Sequence, residues 1–295
     1  MSHRPLAALA LLVNAFVFGL SWWPFRWLES AGLHPLWATS LSLSAGLICL
    51  LLLRPLAWRG LLQHPLLWLL MLASGLTNVA FNWAVTVGDV VRVVLLFYLM
   101  PAWVVLLAWP LLGEKPSAAS LLRLALALIG LVIVLKTPGA PWPLPQSLPD
   151  WLALLGGLCF ALTNILLRKL HQTPGEARML AMFAGGALMA TGVALVGLHW
   201  GGVTAPPPLQ AGWVTGALLT GLALLVANLA LQYGAAHLRA STTSIIMLSE
   251  VVFASVSSAL LGTGELSART LLGGALIVLA SLLAVLPTRR WRPGR

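Results

Sequence analysis

Ten stretches of roughly twenty apolar residues follow one another along this chain, separated by short polar or Pro/Gly-rich breaks. A helix rises 1.5 Å per residue, so about twenty such residues cross the ~30 Å hydrocarbon core of a bilayer. The stretches fall at 6–28, 35–53, 67–86, 90–111, 118–136, 151–170, 177–199, 211–232, 241–262 and 268–287. Only 8% of the 295 residues are charged, against about a quarter in water-soluble domains. Seven acids and seventeen bases cannot solvate a surface of this size, so lipid must be its main solvent. The expected fold class is an all-α membrane protein of about ten transmembrane helices.

The net charge of +10 does not point to nucleic acid, because the bases sit singly or in pairs between apolar runs. They report topology instead. With the N-terminus inside, the inner segments hold Arg4, Arg54, Arg59, Lys115, Arg123, Arg168, Lys169, Arg178, Arg239 and the tail Arg289, Arg290, Arg292 and Arg295. The outer ends hold Arg26, Arg92, Lys136 and Arg269, so both termini are expected in the cytoplasm. Met1 to Arg4 and the run after them read as a first span rather than a leader, since no small-x-small cleavage site follows. Tryptophans near span ends, Trp142 among them, suit the headgroup layer.

The two halves resemble each other. Phe18-Gly-Leu-Ser-Trp-Trp-Pro-Phe-Arg-Trp-Leu28 matches Phe160-Ala-Leu-Thr-Asn-Ile-Leu-Leu-Arg-Lys-Leu170, and Asn78-Val-Ala-Phe-Asn-Trp-Ala84 matches Asn228-Leu-Ala-Leu-Gln-Tyr-Gly234. Leu111-Leu-Gly-Glu-Lys recurs as Leu260-Leu-Gly-Thr-Gly-Glu with a one-residue slip. Five helices per half is an odd number, so the second copy enters the membrane upside down. The expected organisation is an N-terminal repeat at 1–136, a Pro-rich extracytoplasmic linker at 137–149, an inverted repeat at 150–288 and a basic tail at 289–295. Inverted repeats are the architecture of many secondary transporters, with the substrate site near the midplane between them. Two complete repeats form such a cavity without a protein partner.

Tyr98-Leu-Met-Pro-Ala-Trp-Val followed by Leu111-Leu-Gly-Glu-Lys-Pro-Ser and an apolar span resembles the EamA-type repeat of the drug/metabolite transporter superfamily. Ser249-Glu-Val-Val-Phe-Ala, then Leu261-Gly-Thr-Gly-Glu-Leu-Ser and the last span, resembles its second copy. The resemblance covers essentially the whole chain, and its length and aromatic content are most similar to the bacterial aromatic amino acid exporters. It implies alternating-access export from the bacterial cytoplasm across the inner membrane. The family pattern has proline after the second glutamate; Val251 stands there, so a proline break is not carried over to that helix.

Candidate site residues are the polar groups inside the spans. Glu250 lies midway along its run, where a charged side chain costs at least ~2.5 kcal/mol, so it binds a substrate ammonium, exchanges a proton, or is a neutral acid bonded to its own helix. Asn78 and Asn82 share one helix face, repeated by Asn228 and Gln232; amides suit a zwitterion and equally bond helices together. Thr163, Asn164, Ser21 and Trp22 are further cavity candidates, and Tyr98 with Trp103 offers a stacking surface. Pro101 and Pro24 are candidate kinks or gates, Pro101 by removing a helix hydrogen bond and freeing a carbonyl. Arg26, Asp89 and Arg92 are expected at the outer mouth, and the glycines at 185–186, 273–274, 212, 216 and 221 at close helix contacts.

The sequence disfavours other classes. Cys49 and Cys159 lie within apolar runs and the histidines near connections, so no metal or cofactor site is expected. No nucleophile motif or phosphate-binding loop occurs, which argues against an intramembrane enzyme and an ATP-driven pump. No Lys or Arg is placed deep in a span, which disfavours phosphorylated substrates. The rival transport reading is an exporter of hydrophobic cationic drugs, and a channel is the third class.

Overall fold

The computed structural model describes residues 4–88, 90–136, 139, 144–261 and 267–285. Asp89, Trp142, Glu265, part of the linker and the tail arginines lie outside the described residues. The first five spans are built from α1 (Arg4–Ser30), α2 (Pro35–Leu53), α4 (Leu66–Val87), the pair α5 (Val90–Phe97) and α6 (Met100–Leu112), and α7 (Ala118–Leu135). A short α3 (Ala57–Gln63) occupies the connection after α2, where no helix was expected. The second half comprises α8 (Leu148–Lys169), α9 (Gly175–His199), α10 (Ala211–His237), the pair α11 (Ala240–Met247) and α12 (Ser249–Leu260), and α13 (Ala268–Val285). Ten of these units are long and apolar enough to cross a membrane, so the chain is an all-helical multi-pass membrane protein in two inverted repeats.

Alternating crossings gather Arg4, Arg54, Arg59, Lys115, Arg168, Lys169, Arg178 and Arg239 at one end of the bundle, called here the basic end. The lipid-facing surface is what the composition demands: Leu52, Leu106, Leu122, Leu188, Leu219 and Leu282 are all exposed. The halves are not side by side. α4 packs between α8 and α9, α1 runs along α10 and α12, α2 lies on α9 and α10, and α7 packs on α13. Each helix of the first repeat therefore finds its main neighbours in the second, and polar groups on those faces meet across the repeat boundary.

Small residues permit this interleaving. A Cβ on Gly130 of α7 would lie 2.6 Å from the carbonyl of Gly273 on α13, and one on Gly273 2.5 Å from that of Gly130. Gly185, Gly216 and Gly221 are likewise crowded by Met71, Trp27 and Ser42. Gly212 departs from expectation, with nothing within 4 Å of the place its Cβ would take. Pro24 sits inside α1, which continues through it to Ser30, so Pro24 does not interrupt its span.

Candidate functional site

Two spans are interrupted, the fourth of each repeat. In the first, Pro101 has no N–H, so the Phe97 carbonyl loses its helical donor. The chain tightens there, with Leu99 N–H bonding Leu96 O at 3.3 Å and Ala102 N–H bonding Leu99 O at 2.9 Å. The freed carbonyl is not turned into open space. It lies against α8, where a Cβ on Gly157 would be only 2.5 Å away.

The second interruption has no proline and occurs nonetheless. Leu248 N–H bonds Ile245 O at 3.2 Å and Val251 N–H bonds Leu248 O at 3.1 Å, both one residue shorter than an α-helical step. A polar group of another helix lies against it. The Ser281 hydroxyl of α13 donates to Ile277 O of its own helix at 2.9 Å and stands 3.2 Å from Ile245 O and 3.3 Å from the Ser249 hydroxyl. A side chain reaching into the backbone ladder is an established cause of helix kinks.

The two interruptions face each other. Tyr98, at the first, is a polar side-chain partner of Glu250, at the second. Phe97 stacks on Phe160 of α8 with centroids 5.7 Å apart, meets the Tyr98 ring edge-on at 5.6 Å, and touches Phe81 of α4 at 4.6 Å. One acid thus stands beside a wall of four aromatic rings contributed by α4, α5 and α8 and the turn after α5. On the other side, Gly19 lets α1 reach the backbone of α12, since a Cβ there would lie 2.7 Å from Glu250 O. Phe16 of α1 meets Phe253 edge-on at 5.4 Å.

The remaining candidates divide by what they bond. Trp22 donates to Ser257 Oγ at 3.0 Å, tying α1 to α12, while Ser21 donates back to Phe18 O. Asn82 donates to Thr39 Oγ1 on α2 at 2.8 Å; Asn78 donates to Ser74 O one turn earlier and lies beside Gly186 of α9. Asn228 donates to Leu224 O. Gln232, in the orientation that pairs both ends of its amide, donates to Gly175 O and accepts from Met179 N–H, each at 3.2 Å. Thr163 donates to Cys159 O. Trp103 packs on the main core, apart from the ring cluster at Tyr98, with its Nε1 buried and unpartnered among the described residues. Asn164 donates to Phe160 O, one turn from the aromatic wall, and its Oδ1 is buried without a donor among the described residues.

Sequence reasoning passed over three features. Asn14 is fully buried on α1, donates to Ala227 O at 2.9 Å and keeps an Oδ1 without a partner among the described residues. Its signal was only a lone amide in an apolar run, without the paired spacing that singled out Asn78 and Asn82. Arg92 is held by Asp150, Nε to Oδ1 at 2.7 Å and Nη2 to Oδ2 at 3.0 Å, joining α5 to α8. Asp150 also accepts from Gln146 and Ser147 N–H at the start of α8. At the basic end Gly113, at φ +70°, closes α6 and turns Glu114 back over the bundle. There Glu114 accepts from Ala240 N–H at 3.2 Å and pairs with Arg168 at 3.8 Å. The fourth span is therefore pinned to α8 at both ends.

Comparison with known proteins agrees with this architecture. The chain matches the EamA-like transporter family over residues 5–136 and again over 147–286. A solved crystal structure of a protein shares 19% identity and superposes with a TM-score of 0.80, over 97% of this chain and 99% of that one, a likeness of fold. No curated protein matches in sequence. With both matches spanning the repeats that carry the interrupted helices, this chain belongs to the EamA-like transporter family.

Proposed function

We propose that this protein is a secondary transporter that exports amino acids, aromatic and other neutral ones foremost, or related small metabolites across the bacterial inner membrane by alternating access. The observation that carries this reading is the meeting of Tyr98 and Glu250 at two interrupted spans, beside the Phe97–Phe160 stack. A carboxylate at this depth is stable only when protonated or paired with a cation, and a substrate ammonium is such a cation. The rings give the apolar side chain of that substrate a surface. Interruptions at corresponding places in two inverted repeats are where transporters of this architecture bind. With the basic end in the cytoplasm, loading occurs from that side.

A second reading is favoured by one feature. Among the described residues no Lys or Arg stands beside Glu250 to receive a substrate carboxylate, and an acid among aromatic rings also suits a hydrophobic cation. Counterflow of labelled phenylalanine in liposomes, with tryptophan, methionine and a lipophilic cation as competitors, separates the two. The amino acid reading expects saturable counterflow blocked by tryptophan and methionine. Block by the cation alone, or no phenylalanine counterflow from folded protein, replaces it with the drug reading. In either case Glu250→Gln abolishes counterflow while the protein stays monodisperse; unchanged transport by that variant across pH removes Glu250 from the mechanism.

A further inference from the structure

Arg178, counted from sequence among the inner-segment bases that report topology, is 8% exposed. It stands in the first turns of α9, and its Nη1 is buried with no hydrogen-bond partner among the described residues. The guanidinium folds back over the start of its own helix: a Cβ on Gly175 would lie 3.7 Å from Nη2 and 3.9 Å from the Gln232 amide. The two ion pairs of the described residues engage Arg92 and Arg168; neighbouring Glu176 attracts Arg178 from an exposed position but forms no salt bridge with it.

Three costs coincide here. A buried guanidinium without a counter-ion is strongly unfavourable. A buried donor left unmade forfeits its hydration. A cation near a helix N-terminus opposes the helix dipole. A single oxyanion offsets all three, because it accepts from the guanidinium and is attracted by the positive end of the α9 dipole, although Ala177 and Arg178 N–H already bond Pro174 O. We propose that the N-terminal end of α9 is an oxyanion-binding site, for a carboxylate or a phosphate, with Arg178 as its cation and the Gln232 amide beside it. The site lies at the basic end, apart from Tyr98 and Glu250, and stands whichever substrate the transporter carries. Three sources share this chemistry: a small carboxylate from solution, free phosphate, and the phosphate of a phospholipid headgroup.

Thermal unfolding of the purified full chain in detergent tests this, with sodium acetate, sodium phosphate or phosphatidylglycerol added and ionic strength held constant with chloride. At least one of the three raises the wild-type midpoint by a few degrees, and the responding probe identifies the source. Arg178→Gln shows no such rise, and without ligand it unfolds at or above the wild-type temperature because an unpaired buried charge has gone. Arg178→Lys, which keeps the charge and loses the fork, responds more weakly than wild type. Glu250→Gln keeps the full response, which separates this site from the transport reading. The proposal is overturned if none of the three probes moves the wild-type midpoint. It is equally overturned if Arg178→Gln or Arg178→Lys responds like wild type, or if Arg178→Gln is destabilised or fails to fold.

Discussion

The fourth and ninth spans are interrupted at corresponding places, each after an eight-residue helix, but by different means. The first interruption is written into its own strand of sequence, where Pro101 withholds a donor from Phe97 O. The second has no proline and lies against Ser281, a residue of the following helix whose hydroxyl stands 3.2 Å from Ile245 O and 2.9 Å from Ile277 O. Their chemistry differs as well. The first repeat supplies Phe97 and Tyr98, and the second supplies Glu250. Both rest on the first helix of the opposite repeat through a glycine, Phe97 O on Gly157 and Glu250 O on Gly19. Two copies of one scaffold each set a backbone carbonyl against a glycine, with aromatic side chains at one interruption and an acid at the other.

The shared feature, carbonyl against glycine, gives the largest expected effect. Gly19→Leu and Gly157→Leu each place a branched side chain where a Cβ alone would stand 2.7 Å and 2.5 Å from a carbonyl oxygen. Overpacking of this kind costs about 3 kcal/mol, so both variants should unfold at clearly lower temperature than wild type and lose transport. If only one of the pair is destabilised, the two crossings are not equivalent, and the likeness between the interruptions is confined to the broken helices.

How much of this was legible in the sequence follows from where each cause resides. The spans were, because a bilayer admits little else than runs of about twenty apolar residues. Glu250 and Tyr98 stood out because acids and aromatic residues beside proline are unusual in such runs. The first interruption was visible in Pro101. The second was not, because the hydroxyl beside it, Ser281, lies 36 residues away on α13, and Val251 in the place of the family proline pointed against it. Arg178 looked like any base at a span end, since sequence position gives depth along the membrane normal but not which side of a helix is covered. Asp150 was hidden for the same reason: nothing in the chain order announces that it meets Arg92, 58 residues earlier.

Val251→Pro sharpens the comparison by giving the second interruption the device of the first. Proline in an intact helix interior costs about 3 kcal/mol. At residue 251 the helical step is already broken, and the one bond lost is Val251 N–H to Leu248 O at 3.1 Å. The expected loss is therefore about 1 kcal/mol, read as a small fall in the unfolding midpoint of a protein that still folds and transports. Collapse of the fold would mean that the α11–α12 junction behaves as continuous helix and that the two spans are not alike.

Ser281→Ala is the smallest of these changes and addresses the mechanism of the second interruption directly. It removes the hydroxyl from Ile245 O and from Ser249, while Ile245 O keeps its bond from Leu248 N–H. Hydrogen bonds between membrane helices average about 0.6 kcal/mol, so stability should fall by no more than that. Transport should fall more than stability does, because without the serine the backbone regains its regular step from Ser249 N–H to Ile245 O and carries Glu250 away from Tyr98. The double change Ser281→Ala with Val251→Pro then restores transport, since proline re-imposes the break that serine had held. Recovery in the double variant would show that it is the interruption, not the hydroxyl, that the site requires; continued loss would show that Ser281 acts on the site by some route other than the shape of span nine.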